Sequence, residues 1–275
     1  MSDPVLIERR GAVAWITLNR PEVGNAIDLA LARALHDAVD EAARDADTRC
    51  VVIGANGRLF CAGGDVAQLD AAGDDRPRLL DDILAWLHPA MLTLARMDKP
   101  LVTAVNGPAA GAGLGLAAIG DVVLASPAAH FTMAYPKIGL TPDAGATWLL
   151  PRLIGLRRAQ EMALTNRRIS AQEAEEMGLI TRVIDEGLLE SEVATTANAL
   201  AGSAVGALGK TKRLLLESDA SLERQLEAER ATIVEQGGSE ESRIGFDAFR
   251  KRCPPDFMSG PCPDPSRRDA PGRPG

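Results

Sequence analysis

The sequence predicts an α/β chain, β/α in its first part and mostly helical afterwards. Three observations carry this. Short apolar runs of strand length alternate with amphipathic stretches up to about residue 144. Two of those runs, CVVIGA (50–55) and PLVTAV (100–105), are continuous, which suits strands buried on both faces of a parallel sheet. From about residue 144 onward the apolar spacing is helical, over 144–153, 156–164, 170–177, 188–201, 206–217 and 220–236.

The elements follow in order. VLIERRGAVAWITLN (5–19) reads as two short strands around a turn at Arg10-Gly11. Asp28 has the place of an N-cap for an amphipathic helix with Leu29, Leu31, Leu35, Ala38, Val39 and Ala42 on one face. CVVIGA leads through a loop into FCAGGD (60–65), and residues 66–98 read as helix broken near Gly73 and Pro77. PLVTAV runs into a loop rich in Gly and Ala, and DVVLAS (121–126) and HFTM (130–133) are further strands. Strand–helix–strand succession implies right-handed crossovers and a coiled β/α architecture. After Arg252 the chain is crowded with Pro, Gly, Asp and Arg, so residues 259–275 are expected to be a disordered tail. The expected division is a core over 1–200 and a helical region over 201–258.

Bulk properties exclude several functions. The 275 residues are 46% hydrophobic but only 3% aromatic, so Ala, Leu, Val and Ile must pack the core. A net charge of −8 argues against nucleic acid and membrane surfaces as partners. No run of 18 apolar residues suggests a membrane span, and MSDPVLIERR lacks the order of a signal peptide. Cys50, Cys61, Cys253 and Cys262 form no CxxC pair and read as reduced thiols of a cytoplasmic protein. They do not cluster with His36, His88 or His130, so no metal is expected.

The glycine-rich segments carry the chemistry. GAGLG (111–115) is not a dinucleotide fingerprint: its third glycine comes one residue early, and the next acid, Asp121, is only ten residues from Gly111. FCAGGD and NGPAAGAGLG (106–115) instead share a layout in which a buried strand leads into a glycine turn and then a helix. Such turns let a backbone approach a ligand closely and offer unpaired N–H groups. Two of them converging on one oxygen make an oxyanion hole for an enolate. Tight turns with no ligand are the alternative.

Six ordered motifs together resemble the crotonase, or enoyl-CoA hydratase/isomerase, family over residues 5–258. They are LNRPEVGNAI (18–27), FCAGGD, KPLVTAVNGPAAGAGLGLAAIGD (99–121), KIGLTPDAGATWLLPRLIG (137–155), EEMGLITRVI (175–184) and FRKRCPPDF (249–257). The resemblance implies the ClpP-like spiral of ββα turns with a helical C-terminal trimerisation region, hence a homotrimer or dimer of trimers. It also implies an acyl-CoA substrate, with coenzyme A as part of the substrate and no other cofactor. The oxyanion donors fall on Gly64 and Ala112, the latter where most members carry glycine. The CoA contacts fall on backbone near Ala62 and on Arg20, Phe249 and Lys251, for which surface charge and core packing are the alternatives.

The family's hydratases use two glutamates, and their positions here hold Gly115 and Lys137. Asp143, in PDAGATWLLPR, aligns instead with the catalytic Asp of the ring-epoxide phenylacetyl-CoA isomerases and with the nucleophile of the 4-chlorobenzoyl-CoA dehalogenases. Its alternative role is helix capping. One carboxylate suffices for a double-bond shift: it removes a proton and returns it elsewhere. Leu114, Leu140 and Trp148 are expected to line its acyl pocket. His88 and Tyr135 stand where the dehalogenases carry auxiliary groups, although His88 on an apolar helix face also reads as a packed histidine. Cys61 reads as packing and Asp65 as a helix cap. The implied activity is an acyl-CoA isomerase. The alternatives are a hydratase or lyase using one Asp, and a silent binder of acyl thioesters, on CoA or on a carrier protein.

Overall fold

The computed structural model describes residues 3–185, 187–218 and 221–260. The chain divides into two units, Met1–Ala201 and Gly202–Gly275. Among the described residues, no helix is long and apolar enough to cross a membrane.

The first unit opens with the expected hairpin, β1 (Val5–Arg10) and β2 (Val13–Leu18), with Gly11 in the left-handed region at the turn. The elements that follow are α1 (Leu29–Arg44), β3 (Cys50–Ala55), α2 (Val66–Ala71), α3 (Arg76–Arg96), β4 (Leu101–Val105), β5 (Ala109–Ala110), α4 (Ala112–Ala118), β6 (Val122–Ala125) and β7 (His130–Thr132). Then come α5 (Ala146–Ile154), α6 (Leu156–Thr165), β8 (Ile169–Ser170), α7 (Ala171–Met177), β9 (Arg182–Val183) and α8 (Leu189–Ala201). The main sheet runs β1-β2-β3-β4-β6-β9, with β1 and β2 antiparallel and every later pair parallel. A second sheet, β5-β7-β8, stands beside it. This strand order, with helices between successive parallel strands, agrees with the spiral of ββα turns that the resemblance implies. The runs of β3 and β4 are buried as their unbroken apolar pattern requires.

Two details depart from the pattern-based expectation. The helix break falls at Gly73, but Pro77 lies in the first turn of α3, where a missing N–H costs nothing. Asp121 accepts from the Leu101 N–H at 2.8 Å, so it ties β6 to the start of β4.

The second unit contains α9 (Val205–Leu216), α10 (Leu222–Gly237) and α11 (Glu240–Lys251). Helix α11 falls within the helical region expected over 201–258; the Ser239 cap with Glu240 and Glu241 behind it starts the helix, and Ile244 and Ala248 are its buried positions. The charged run 227–241 lies on α10 and the start of α11. Helix α10 buries no residue and leaves Leu222, Leu226, Ile233 and Val234 exposed. Cys50 and Cys61 are free thiols, but Cys253 is disulfide-bonded, which corrects its reading as a reduced thiol. A cysteine in a Pro-rich stretch has no spacing that marks either state. Cys262 and most of the expected tail, from residue 261 on, lie outside the described residues.

Candidate active site

Two backbone segments meet in front of α4. Cys61 and Ala109 form a parallel bridge, with the Cys61 N–H donating to Pro108 O and the Ala110 N–H to Cys61 O. Ile27 and Gly64 form another: the Ile27 N–H donates to Gly63 O at 2.7 Å and the Asp65 N–H to Ile27 O at 3.0 Å. In a parallel bridge the flanking residues make the bonds, so the N–H of Gly64 itself points away from Ile27. It donates to no atom among the described residues, and neither does the Ala112 N–H in the first turn of α4. The segments pack backbone on backbone: a Cβ on Gly63 would sit 2.8 Å from Ala110 O and 3.4 Å from Gly111 Cα.

The first segment is tied down from behind. Buried Asn25, itself left-handed, accepts from the Arg20 N–H and donates to the carbonyls of Asn56 and Leu59. The Cys61 thiol donates to Asn25 O at 3.2 Å and accepts from the Gly63 N–H, and burial pushes its pKa up to about 12. That thiol is a strut and carries no nucleophilic charge at neutral pH. Asp28 caps α1 through the Leu31 N–H, and Asp65 caps α2 through the Gln68 N–H.

Asp143 stands on the other side of α4. The Tyr135 hydroxyl donates to Asp143 Oδ1 at 2.5 Å, and a Cβ on Gly111 would lie 3.8 Å from Tyr135 Cζ. Contact therefore runs from Gly63 through Gly111 and Tyr135 to Asp143. Helix α5 is capped at Gly145 without a side-chain bond, so Asp143 does not serve as a cap. Burial raises the Asp143 pKa, while the Tyr135 bond and the charge of His88 pull it back. Tyr135 is itself raised, by burial first and then by the Asp143 charge. Ala144 follows at φ 47°, fully buried, with its carbonyl oxygen 2.3 Å from where a Cβ on Gly115 would stand. Position 115 thus has no room for a side chain.

The family model for enoyl-CoA hydratase/isomerase matches residues 8–260. The chain belongs to the enoyl-CoA hydratase/isomerase family. One relative is the 1,2-epoxyphenylacetyl-CoA isomerase of Escherichia coli strain K12, 36% identical over 94% of this chain and 99% of its own length. A second is the 2,3-dehydroadipyl-CoA hydratase of the same organism, 34% identical over 92% and 98%. The crystal structure of an enoyl-CoA hydratase from Polaromonas sp. JS666 superposes with a TM-score of 0.87 at 33% identity, covering 92% of this chain and 98% of that one. Relatives named for isomerisation and for hydration thus share the enoyl-CoA hydratase/isomerase fold with this chain.

Other residues singled out from the sequence are distributed as follows. Leu140 lines a cleft of about 270 Å³ with Val66, Leu69, Asp70, Arg76 and Ile138. Leu114 does not line it, because α4 is packed on all sides and Leu114 sits in the core. Trp148 does not either: it projects from the face of α5 opposite Ala146, Leu149 and Leu150, with the Arg152 guanidinium 3.9 Å from its ring centroid. His88 is exposed, which corrects its reading as a packed histidine, since the buried positions of α3 are Ile83, Leu87, Ala90, Met91 and Leu94. Arg20 is largely buried and engaged, with Ala26 O at 2.6 Å, Asp28 at 3.0 Å and Asp65 at 3.5 Å, so it joins the caps of α1 and α2. The Ala62 N–H donates to Gly24 O. Phe249 is exposed, and Lys251 pairs with Asp247 at 2.8 Å, both on α11.

Sequence reasoning missed the Tyr135–Asp143 bond, the Asn25 struts, and Asn166, which accepts from the Ala134 N–H and the Thr132 hydroxyl and so holds the segment carrying Tyr135. A left-handed Asn is a weak local signal for such anchors.

Proposed function

We propose that this protein is an isomerase that shifts a double bond in an acyl-CoA. The N–H groups of Gly64 and Ala112 hold the thioester oxygen and Asp143 carries the proton. The observation that carries the reading is Asp143 itself: a half-buried carboxyl of raised pKa, bonded to Tyr135 and reached from the glycine turns through one aromatic ring.

On a 3-enoyl thioester the Asp143 carboxylate takes a proton from C2. The C–H electron pair moves into the thioester, giving a dienolate whose oxygen bears the charge. Each backbone donor stabilises that charge by about 3–4 kcal/mol relative to the neutral carbonyl. The Asp143 carboxyl then returns the proton to C4, and the double bond closes between C2 and C3. No water or redox partner enters. A raised pKa suits both halves, making the carboxylate a stronger base while keeping the acid able to give its proton back.

Two-carboxylate hydration is poorly supported here. Position 115 is closed by the Ala144 carbonyl, and residue 137 is an exposed lysine. The cleft lined by Leu69, Ile138 and Leu140 gives an apolar place for the acyl chain. The Ala62 carbonyl, which accepts no bond among the described residues, is offered to the adenine. The engagement of Arg20 by Asp28 and Asp65 favours a positioning role over a phosphate contact. Exposed apolar residues on α10 support assembly as a homotrimer.

The test is NMR of 3-enoyl-CoA and 2-enoyl-CoA with the protein. Interconversion without a 3-hydroxyacyl product is expected. Efficient hydration of 2-enoyl-CoA would overturn the proposal, and tight binding without any reaction would favour a silent thioester binder.

A further inference from the structure

We infer that Tyr135 is a positioning residue that ties one oxygen of Asp143, so that Oδ2 alone takes the proton from the substrate and returns it. The inference rests on the isomerase reading and adds the device that lets one carboxylate serve two carbons.

A free carboxylate rotates about its Cβ–Cγ bond and offers either oxygen. Here Oδ1 accepts the Tyr135 hydroxyl at 2.5 Å, and it is the carboxylate oxygen that receives a side-chain donor among the described residues. The phenol is not free to follow a moving carboxylate. Its ring is buried, with 7% of its surface exposed, and packs toward Gly111 at the entrance to α4. Its backbone is fixed on both sides: Asn166 holds Thr132 and Ala134, and the Tyr135 carbonyl accepts from Leu140 N–H at 3.2 Å. The backbone beside the carboxylate is fixed as well. Ala144 in the left-handed region sets its carbonyl into the space that Gly115 leaves without a side chain. The two anchors leave Asp143 little rotation.

The bond also sets when the carboxylate is charged. The groups facing this pair are His88 from α3, whose charge favours the ionised Asp143, and Cys61, a neutral buried thiol on the Tyr135 side. Tyr135 stays protonated throughout, since both burial and the Asp143 charge oppose its ionisation. It therefore donates and never acts as a base. Removing its hydroxyl leaves burial less opposed, so the Asp143 pKa rises further.

The experiment compares the full-length protein with Tyr135→Phe, which keeps the ring and loses one oxygen. Two readouts are taken: ¹³C NMR titration of the Asp143 carboxyl without substrate, and the pH profile of kcat and KM for 3-enoyl-CoA. In the variant, the carboxyl titration and the acid limb of kcat are expected to move together to higher pH. On the acid side kcat should fall about tenfold, the size expected for losing a charge-assisted bond, while KM stays within a factor of two or so. An unmoved titration, or a uniform loss of kcat at every pH, would overturn the positioning role. The isomerase reading fails separately: a wild-type protein whose Asp143 titrates as described but which shifts no double bond would sink that reading and leave the Tyr135–Asp143 pair standing. Tyr135→His, which can donate from another position, checks the fold if the Phe variant loses stability.

Discussion

Helix α4 separates two differently built regions. On the side of Gly113 lies the segment of Gly63 and Gly64, made of backbone and held by bridges, by Asn25 and by the Cys61 thiol. On the side of Gly115 lies the segment of Tyr135 and Asp143, made of side chains on a backbone with two left-handed alanines, Ala134 and Ala144. The two glycines are equally tight. A Cβ on Gly113 would meet Cys61 O at 2.5 Å, and one on Gly115 would meet Ala144 O at 2.3 Å. The difference teaches a division of labour. An oxyanion site must not reorganise during the reaction, and a laddered backbone meets that need. In the proposed isomerisation the choice of reaction rests on where a proton goes, which the strained, side-chain side would set.

The largest effect expected is for Asp143→Asn. Its carbonyl still accepts from Tyr135, so the fold should survive while isomerisation falls about 10³-fold. Stability moves the other way. The folded pKa of Asp143 lies above its ordinary value, so the folded state binds the extra proton between those two values. Wild-type stability therefore falls as pH rises across that window, and Asp143 weakens the fold above it. Thermal unfolding of the Asn variant should show an equal or higher Tm than wild type at neutral pH. A lower Tm would mean that the charge is stabilised in the fold.

Gly113→Ala and Gly115→Ala sharpen the contrast. The first pushes on the hole and should lower kcat/KM about 100-fold. The second pushes on the Asp143 backbone and should lower kcat while leaving affinity for a non-reactive acyl-CoA intact. Each should cost about 1–3 kcal/mol of stability in denaturant titrations. Identical kinetic signatures from the two variants would erase the distinction drawn here. Asn25→Ala should cost about 1–2 kcal/mol of stability, because the part-buried Asn56 and Leu59 carbonyls lose the donor that buried Asn25 supplies. The smallest effect is at Cys61. With a thiol pKa near 12 and no exposure, it should resist iodoacetamide in the native state at pH 8, and rapid labelling with loss of activity would contradict its role as a strut.

Much of the hole side was readable in advance. Strand runs, glycine turns and the Asp28 and Asp65 caps are local patterns, and each falls where its pattern puts it. The base side was readable only in outline. Asp143 could be picked out by motif, but its bond to Tyr135 joins residues eight apart in a stretch with no period. Each of its residues is flanked by a left-handed alanine, Ala134 or Ala144, that no residue type announces. The same holds for Trp148 and Leu114. Both are apolar residues near Asp143 in sequence or resemblance, yet helix phase turns Trp148 outward, while Leu114 lies on a helix that is buried on every face.

The most direct test of the division is deuterium uptake. The protein and its Asp143→Asn variant are incubated with 3-enoyl-CoA in deuterated water, and C2 and C4 are followed by mass spectrometry and NMR. Wild type should shift the double bond, with deuterium entering only to the extent that the Asp143 proton exchanges with solvent before it is returned, while the variant binds the thioester and loses the shift and any such exchange together by about 10³-fold. A variant that still exchanges and isomerises at the wild-type rate would contradict the assignment of the proton to Asp143.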